Sequence, residues 1–138
     1  MRFSIWVGAM ILGATAAIAG EDADDIHWSI TMSVNEGMAD KVVPLVTRMS
    51  EATMANEPDA LIYEYMQDGD TVHIYERYAD NDAAMLHMSN FGANFAEEFF
   101  EAFTVDSIAI YGPAGDDLKE VFADANPAYL GKIAGFAR

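Results

Sequence analysis

The chain has no cysteine, and only seven lysines and arginines stand among its 138 residues against 23 aspartates and glutamates. Without cysteine there is no thiol nucleophile and no disulfide, so the folded chain is held by packing alone. The formal net charge is −16. That argues against nucleic acid and anionic membrane surfaces, both of which call for a basic footprint. Histidines number three, His27, His73 and His87, with no His-x-x-x-His or carboxylate-triad spacing, which speaks against a tight metal site. A Gly-rich phosphate loop, a dinucleotide fingerprint and a Gly-x-Ser-x-Gly elbow are missing too. No repeat, linker or low-complexity tract appears.

What is present begins with an atypical start. "MRFSIWVGAMILGATAAIAG" carries one basic residue, Arg2, then an apolar run, then Ala17-Ile18-Ala19. This is the pattern of a secretory signal, expected over residues 1–19 with cleavage after Ala19. Phe3 to Ala19 is slightly short for a membrane span and has no basic stop. Losing Arg2 takes the charge from −16 to −17. The mature chain, one domain over 20–138, is expected to be soluble and secreted, most simply into a bacterial periplasm.

"IHWSITMSV" alternates, with Ile26, Trp28, Ile30, Met32 and Val34 on one side, and predicts a strand with one buried face. In 36–58, Met38, Val42, Leu45, Met49 and Thr53 recur at helical spacing; Pro44 either follows an Asp40 cap or kinks the helix, and Pro58 ends it. "ALIYEYMQ" and "TVHIYERY" flank Asp68-Gly69-Asp70 and predict a hairpin. With Asp68-Gly69 as the loop, Glu64 lies opposite His73; a three-residue loop pairs Tyr65 with His73. The shorter loop is expected. Asp80 is a fitting N-cap for a helix whose stripe is Ala84, Met88, Phe91, Phe95, Phe99 and Ala102, with a bend or close approach at Gly92. His87, Asn90 and Asn94 run along the edge of that stripe. A strand over 104–112, a short helix over 116–124 and a last strand over 129–138 complete the chain. The order β-α-β-β-α-β is the α+β, ferredoxin-like split βαβ arrangement with a short C-terminal α-β extension. Tyr63, Tyr65, Tyr75 and Tyr78 leave neither sheet face purely polar, which suggests that a second copy covers the open face.

The stretch from Ala55 to Phe99 resembles the antibiotic biosynthesis monooxygenase family, the dimeric α/β-barrel oxygenases. The resemblance rests on Glu57, Pro58, Tyr63, Glu64, Tyr75, Glu76, His87 and Phe91 and extends over roughly 26–112; Asp59 stands where the family usually has glycine. It implies a homodimer with a pocket in each subunit between sheet and helices. Members include cofactor-free monooxygenases of aromatic polyketides and quinols, haem-degrading enzymes and proteins without an assigned activity. The haem-degrading branch has an iron-ligating histidine farther along the second helix. Here that region reads "AEEFF", so haem degradation is disfavoured. The secretion signal is a departure from the better-known intracellular oxygenases.

A cofactor-free oxygenase lets its substrate supply the electrons, so the protein needs a dry aromatic pocket, a base and donors for the developing anion. No cofactor and no metal are expected. His73 and His87 are the candidate bases, since imidazole titrates near neutral pH. Tyr63, Tyr75, Asn90, Phe91 and Trp28 are candidates for binding a small aromatic or quinol-like ligand, and Arg77 for balancing an anion. Each has a plainer reading. The tyrosines and Trp28 suit a core or interface, His73 a partner for Glu64, Arg77 an ion pair with one of many acids, and His27 a solvated site. The rivals to an enzyme are a non-catalytic periplasmic binding protein with the same pocket and a purely structural dimer.

Overall fold

A computed structural model describes residues 24–136; the expected signal segment, 1–19, lies outside them. Nine residues, Ile26–Val34, form β1, and their alternation is realised: Ile26, Trp28, Ile30 and Met32 are buried and the residues between them are not. Helix α1 spans Ala39–Asn56 and buries Val42, Leu45, Met49 and Thr53. Asp40 is not its cap. Met38 holds that position without a side-chain bond, and Pro44 sits inside the helix, where its missing N–H removes one backbone hydrogen bond.

Strands β2 (Ala60–Asp68) and β3 (Thr71–Tyr78) form the hairpin, in a register that differs from both expected ones. Asp68 pairs with Thr71, Met66 with His73 and Glu64 with Tyr75, so the loop is Gly69-Asp70. Only Gly69 of those two has positive φ, +57°, as a type II′ turn requires, rather than both residues as in type I′. The slip from the expected two-residue register is two positions in partner, so every side chain keeps its face.

Helix α2 (Asn81–Asn94) starts where Asp80 accepts the Ala83 amide at 2.8 Å. The expected single helix is interrupted. Its break falls at Phe95, not Gly92, and α3 (Ala96–Ala102) carries the rest of the stripe into β4 (Phe103–Tyr111). Gly92 stays helical with open space where a Cβ would stand. Helix α4 (Asp116–Val121) is followed by a 3-10 turn at Ala123–Ala125. The last strand, β5, is only Ala128–Leu130, shorter than the expected 129–138 because the chain leaves the sheet at Gly131.

The sheet order is β2-β3-β1-β4-β5, antiparallel except for β4 with β5. This is the ferredoxin-like α+β fold. Gly112, which follows β4, has φ +95°, and a Cβ there would come within 2.2 Å of the Asp25 carbonyl; only glycine fits that crossing. The core lies between one sheet face and the helices, around Trp28, Ile74, Leu45, Phe99, Phe103 and Ile110. Burial of such large apolar side chains is the dominant favourable contribution to folding, roughly 1.5–3 kcal/mol for each. Three of the four hairpin tyrosines, Tyr63, Tyr65 and Tyr78, pack with this core. The open face is therefore more polar than the sequence suggested, with Ser29, Thr31, Ser33, Thr71, His73 and Ser107 on it. No helix among the described residues is long and apolar enough to cross a membrane.

Candidate functional site

His87 is placed by helix α2. Three residues after Ala84, it points from the buried side of the helix into the sheet and is only 5% exposed. Trp28, Tyr63, Tyr78 and Phe91 surround it, with ring centroids 6.1, 5.4, 5.1 and 6.5 Å away. Both imidazole nitrogens face carboxylates. Nδ1 lies 2.9 Å from Glu57 Oε2, and Nε2 lies 3.5 Å from Glu76 Oε2. Asn90, one turn along α2, donates its amide to the other Glu57 oxygen at 3.0 Å. Tyr78 donates to Glu76 Oε2 at 2.7 Å, and the Trp28 side chain is also hydrogen-bonded to Glu76.

Local structure explains these positions. Glu57 follows the end of α1, where its backbone N–H bonds back to the Thr53 carbonyl. That last turn aims the side chain across the sheet edge toward α2. Glu76 lies in β3 between Ile74 and Tyr78 on the helix-covered face, so strand alternation buries it.

The two carboxylates are tuned in opposite directions. Burial pushes the Glu76 carboxyl up, against the opposing pull of His87 and its two hydrogen bonds. Burial also works against the Glu57 charge, but the His87 and Asn90 hydrogen bonds outweigh it and hold Glu57 below the usual range. For His87, burial disfavours the cation, yet the Glu57 hydrogen bond and both carboxylate charges win and raise its pKa. Burial drives the Tyr63, Tyr65 and Tyr78 phenols up, so they stay neutral at physiological pH and act as hydrogen-bonding groups rather than bases. Tyr63 and Tyr65 hydroxyls lie 3.0 Å apart.

Beside this cluster is a cavity of about 250 Å³ between sheet and helices. Its walls come from all four main strands, including Trp28, Ile30, Tyr63, Ile74, Glu76 and Ile108, and from Met88, Phe91, Phe99 and Phe122 on the helical side. Apart from the histidine–glutamate corner and Asp124 at the α4 end, the lining is apolar or aromatic. A second hollow, about 460 Å³, opens between α1 and α2 and is more polar, with Thr53, Asn56, Glu57, Asn90 and Asn94. Met49, Tyr63, His87 and Phe91 line both.

Residues 26–103 match the antibiotic biosynthesis monooxygenase family. The chain belongs to that family. Compared with curated proteins, the sequence finds no match. Among solved structures, MupZ from Pseudomonas fluorescens is similar with a TM-score of 0.74 at 21% identity, over 83% of this chain and 95% of MupZ. SnoaB, a cofactor-independent oxygenase from Streptomyces nogalater, has a TM-score of 0.56 at 14% identity, over 67% of this chain and 96% of its own. A conserved protein from Methanosarcina mazei Go1 reaches 0.58 at 16% identity, over 67% and 95% of the two chains. At these identities the likeness is one of fold.

Within this antibiotic biosynthesis monooxygenase fold, the sheet divides the eight residues singled out in the sequence. Trp28, Tyr63, His87, Asn90 and Phe91 come together around the two hollows. His73, Tyr75 and Arg77 lie on the opposite face, because β3 alternates and Val72, Ile74 and Glu76 take the inner one. The two histidines therefore do not share a site. His73 is exposed, and Arg77 is ion-paired with Asp25. Glu57 and Glu76, present in the sequence only as positions of the family pattern, are the missing members. Glu76 had a readable signal: it is the charged residue in the otherwise apolar series Val72, Ile74, Glu76, Tyr78, and a charge on a buried face needs partners. Glu57 carried no such signal outside the family pattern. Among the described residues, no group of three histidine, aspartate or glutamate side chains is arranged to hold a metal ion.

Proposed function

We propose that the protein is a cofactor-independent monooxygenase of a small aromatic or quinol-like substrate, with His87 as its base. The observation that carries this reading is His87 at the wall of the 250 Å³ cavity, with Glu57 bonded to its Nδ1 from outside that cavity. Glu57 accepts from Nδ1–H and so leaves the lone pair on Nε2, the nitrogen on the side of Glu76, which also lines the cavity. Asn90 keeps Glu57 in place. A phenolic or enolic substrate gives its proton to Nε2 and becomes an electron-rich anion that reduces dioxygen. One oxygen atom replaces ring C–H as C=O and the other leaves as water; the substrate supplies all four electrons. The apolar walls exclude competing water. Trp28, Tyr63 and Phe91 clamp the planar ring, and the neutral tyrosine hydroxyls offer donors to the anion.

The mature protein is proposed to act as a homodimer in the periplasm after removal of residues 1–19. Support comes from the N-terminal sequence, the family pattern and the half-buried Tyr75 and Tyr111 on the open sheet face. Oxygen uptake with a panel of hydroquinones and anthrones tests the central reading. Uptake that depends on the protein and disappears in His87→Ala supports it; uptake with neither ligand class, despite binding, overturns it. Sedimentation and the mass of the exported chain test the dimer and the cleavage site.

A further inference from the structure

Two carboxylates flank His87, and proton removal to Nε2 uses only one of them. Glu76 is fully inside the protein, lines the apolar cavity, and stands 3.5 Å from Nε2. That is longer than the 2.9 Å contact on the Nδ1 side, and longer than a well-formed hydrogen bond. The gap is bordered by the cavity, so a substrate atom can lie against both groups. Tyr78 and Trp28 hold the Glu76 carboxyl from the protein side and fix where it points.

We infer that the same cavity catalyses a reaction that needs no dioxygen, the reversible enolisation of a small ketone with an aromatic ring on its α-carbon, with Glu76 as the acid opposite His87. With His87 as the base proposed above, Nε2 takes a proton from the α-carbon. The Glu76 carboxyl delivers its own proton to the carbonyl oxygen. The C–H bond breaks, an O–H bond forms, and the C=C–OH enol results with no change in oxidation state; the reverse steps restore the ketone. The short separation of acid and base selects neighbouring atoms, an α-carbon and its carbonyl oxygen, rather than the two ends of a long conjugated system. The opposite tuning of the carboxylates fits the division of labour. Burial favours the proton-bearing form of Glu76, while Glu57 is held as the anion that orients the imidazole.

The test is deuterium exchange at the α-carbon of β-tetralone, in oxygen-free deuterated buffer, followed by proton NMR with the full mature chain. The wild-type protein should accelerate exchange over buffer, and Glu76→Gln should lower that rate about 100-fold or more. A pH profile separates an acid from a structural prop: wild-type exchange should fall on the alkaline side as Glu76 loses its proton, and Glu76→Gln should lose that fall. If Glu76→Gln does not fold, Glu76→Asp keeps the carboxyl but withdraws it, and should exchange at least several-fold more slowly. Bound β-tetralone without acceleration, or no binding of it at all, overturns the inference. If hydroquinone-driven oxygen uptake persists in that case, the oxygenase reading stands alone; if uptake is absent too, both fall. A Glu76→Gln protein that exchanges at the wild-type rate also overturns it.

Discussion

The two faces of the sheet share the same strands but treat histidine in opposite ways. On the helix-covered face, His87 is enclosed by four rings and sits between two carboxylates. On the open face, His73 stands opposite Met66 and Thr31 and is exposed. The difference shows that residue type alone does not make a base. A desolvated imidazole whose tautomer is held by a buried anion can do proton chemistry, while a solvated one on a polar face has nothing to orient it.

The sharpest way to break this contrast is to remove each histidine. His87→Ala should lower the rate of oxygen uptake about 10²- to 10⁴-fold, and His73→Ala should leave it unchanged; equal losses measured at an oxygen electrode would erase the distinction between the faces. The packing contrast comes next. Trp28→Ala, in the core, should cost about 3–5 kcal/mol in urea unfolding, against about 1 kcal/mol or less for Tyr75→Ala on the open face. A loss for Tyr75→Ala that depends on protein concentration would instead show that a second copy packs on that face.

Smaller still is the change in Glu57→Gln, which keeps the shape but removes the anion. It should destabilise the fold by about 1–3 kcal/mol and lower the pH at which His87 begins to work as a base, as read from the pH–rate profile. The weakest expected effect is the pH dependence of stability. His87 has a raised pKa, so its contribution is complete below its ordinary 6.5 and is lost as pH rises through the raised value. Glu57 is lowered, so its contribution is present above its ordinary 4.5 and is lost as pH falls through the lowered value. Glu76 is raised and runs opposite to Glu57, losing its contribution as pH climbs from 4.5. Urea unfolding across pH should therefore weaken on the alkaline side of 6.5, and His87→Gln should flatten that decline; an unchanged slope would remove His87 from the balance.

Much of the fold was legible in local patterns. The alternation of Ile26 to Met32, the α1 stripe from Val42 to Thr53 and the Asp80 cap each report a short-range physical preference. The hairpin register was not legible, since Asp68, Gly69 and Asp70 offer more than one turn and a single positive φ at Gly69 decides between them. The break at Phe95 was also hidden, because nothing in composition marks it, while Gly92 drew attention and stayed helical. Of the site, the aromatic residues and His87 could be named in advance. Glu57 lies 30 positions from His87, and no local rule joins residues so far apart.

The amino-acid sequence by itself determined which residues alternate, which recur at helical spacing, and therefore that a mixed sheet-and-helix domain with an aromatic interior would form. Those features are set by neighbours a few positions away. Only the tertiary structure decided which histidine is enclosed and which carboxylates meet it. That choice depends on how α1, β3 and α2 pack against one another, and on the energy of burying charges that must find partners across the chain.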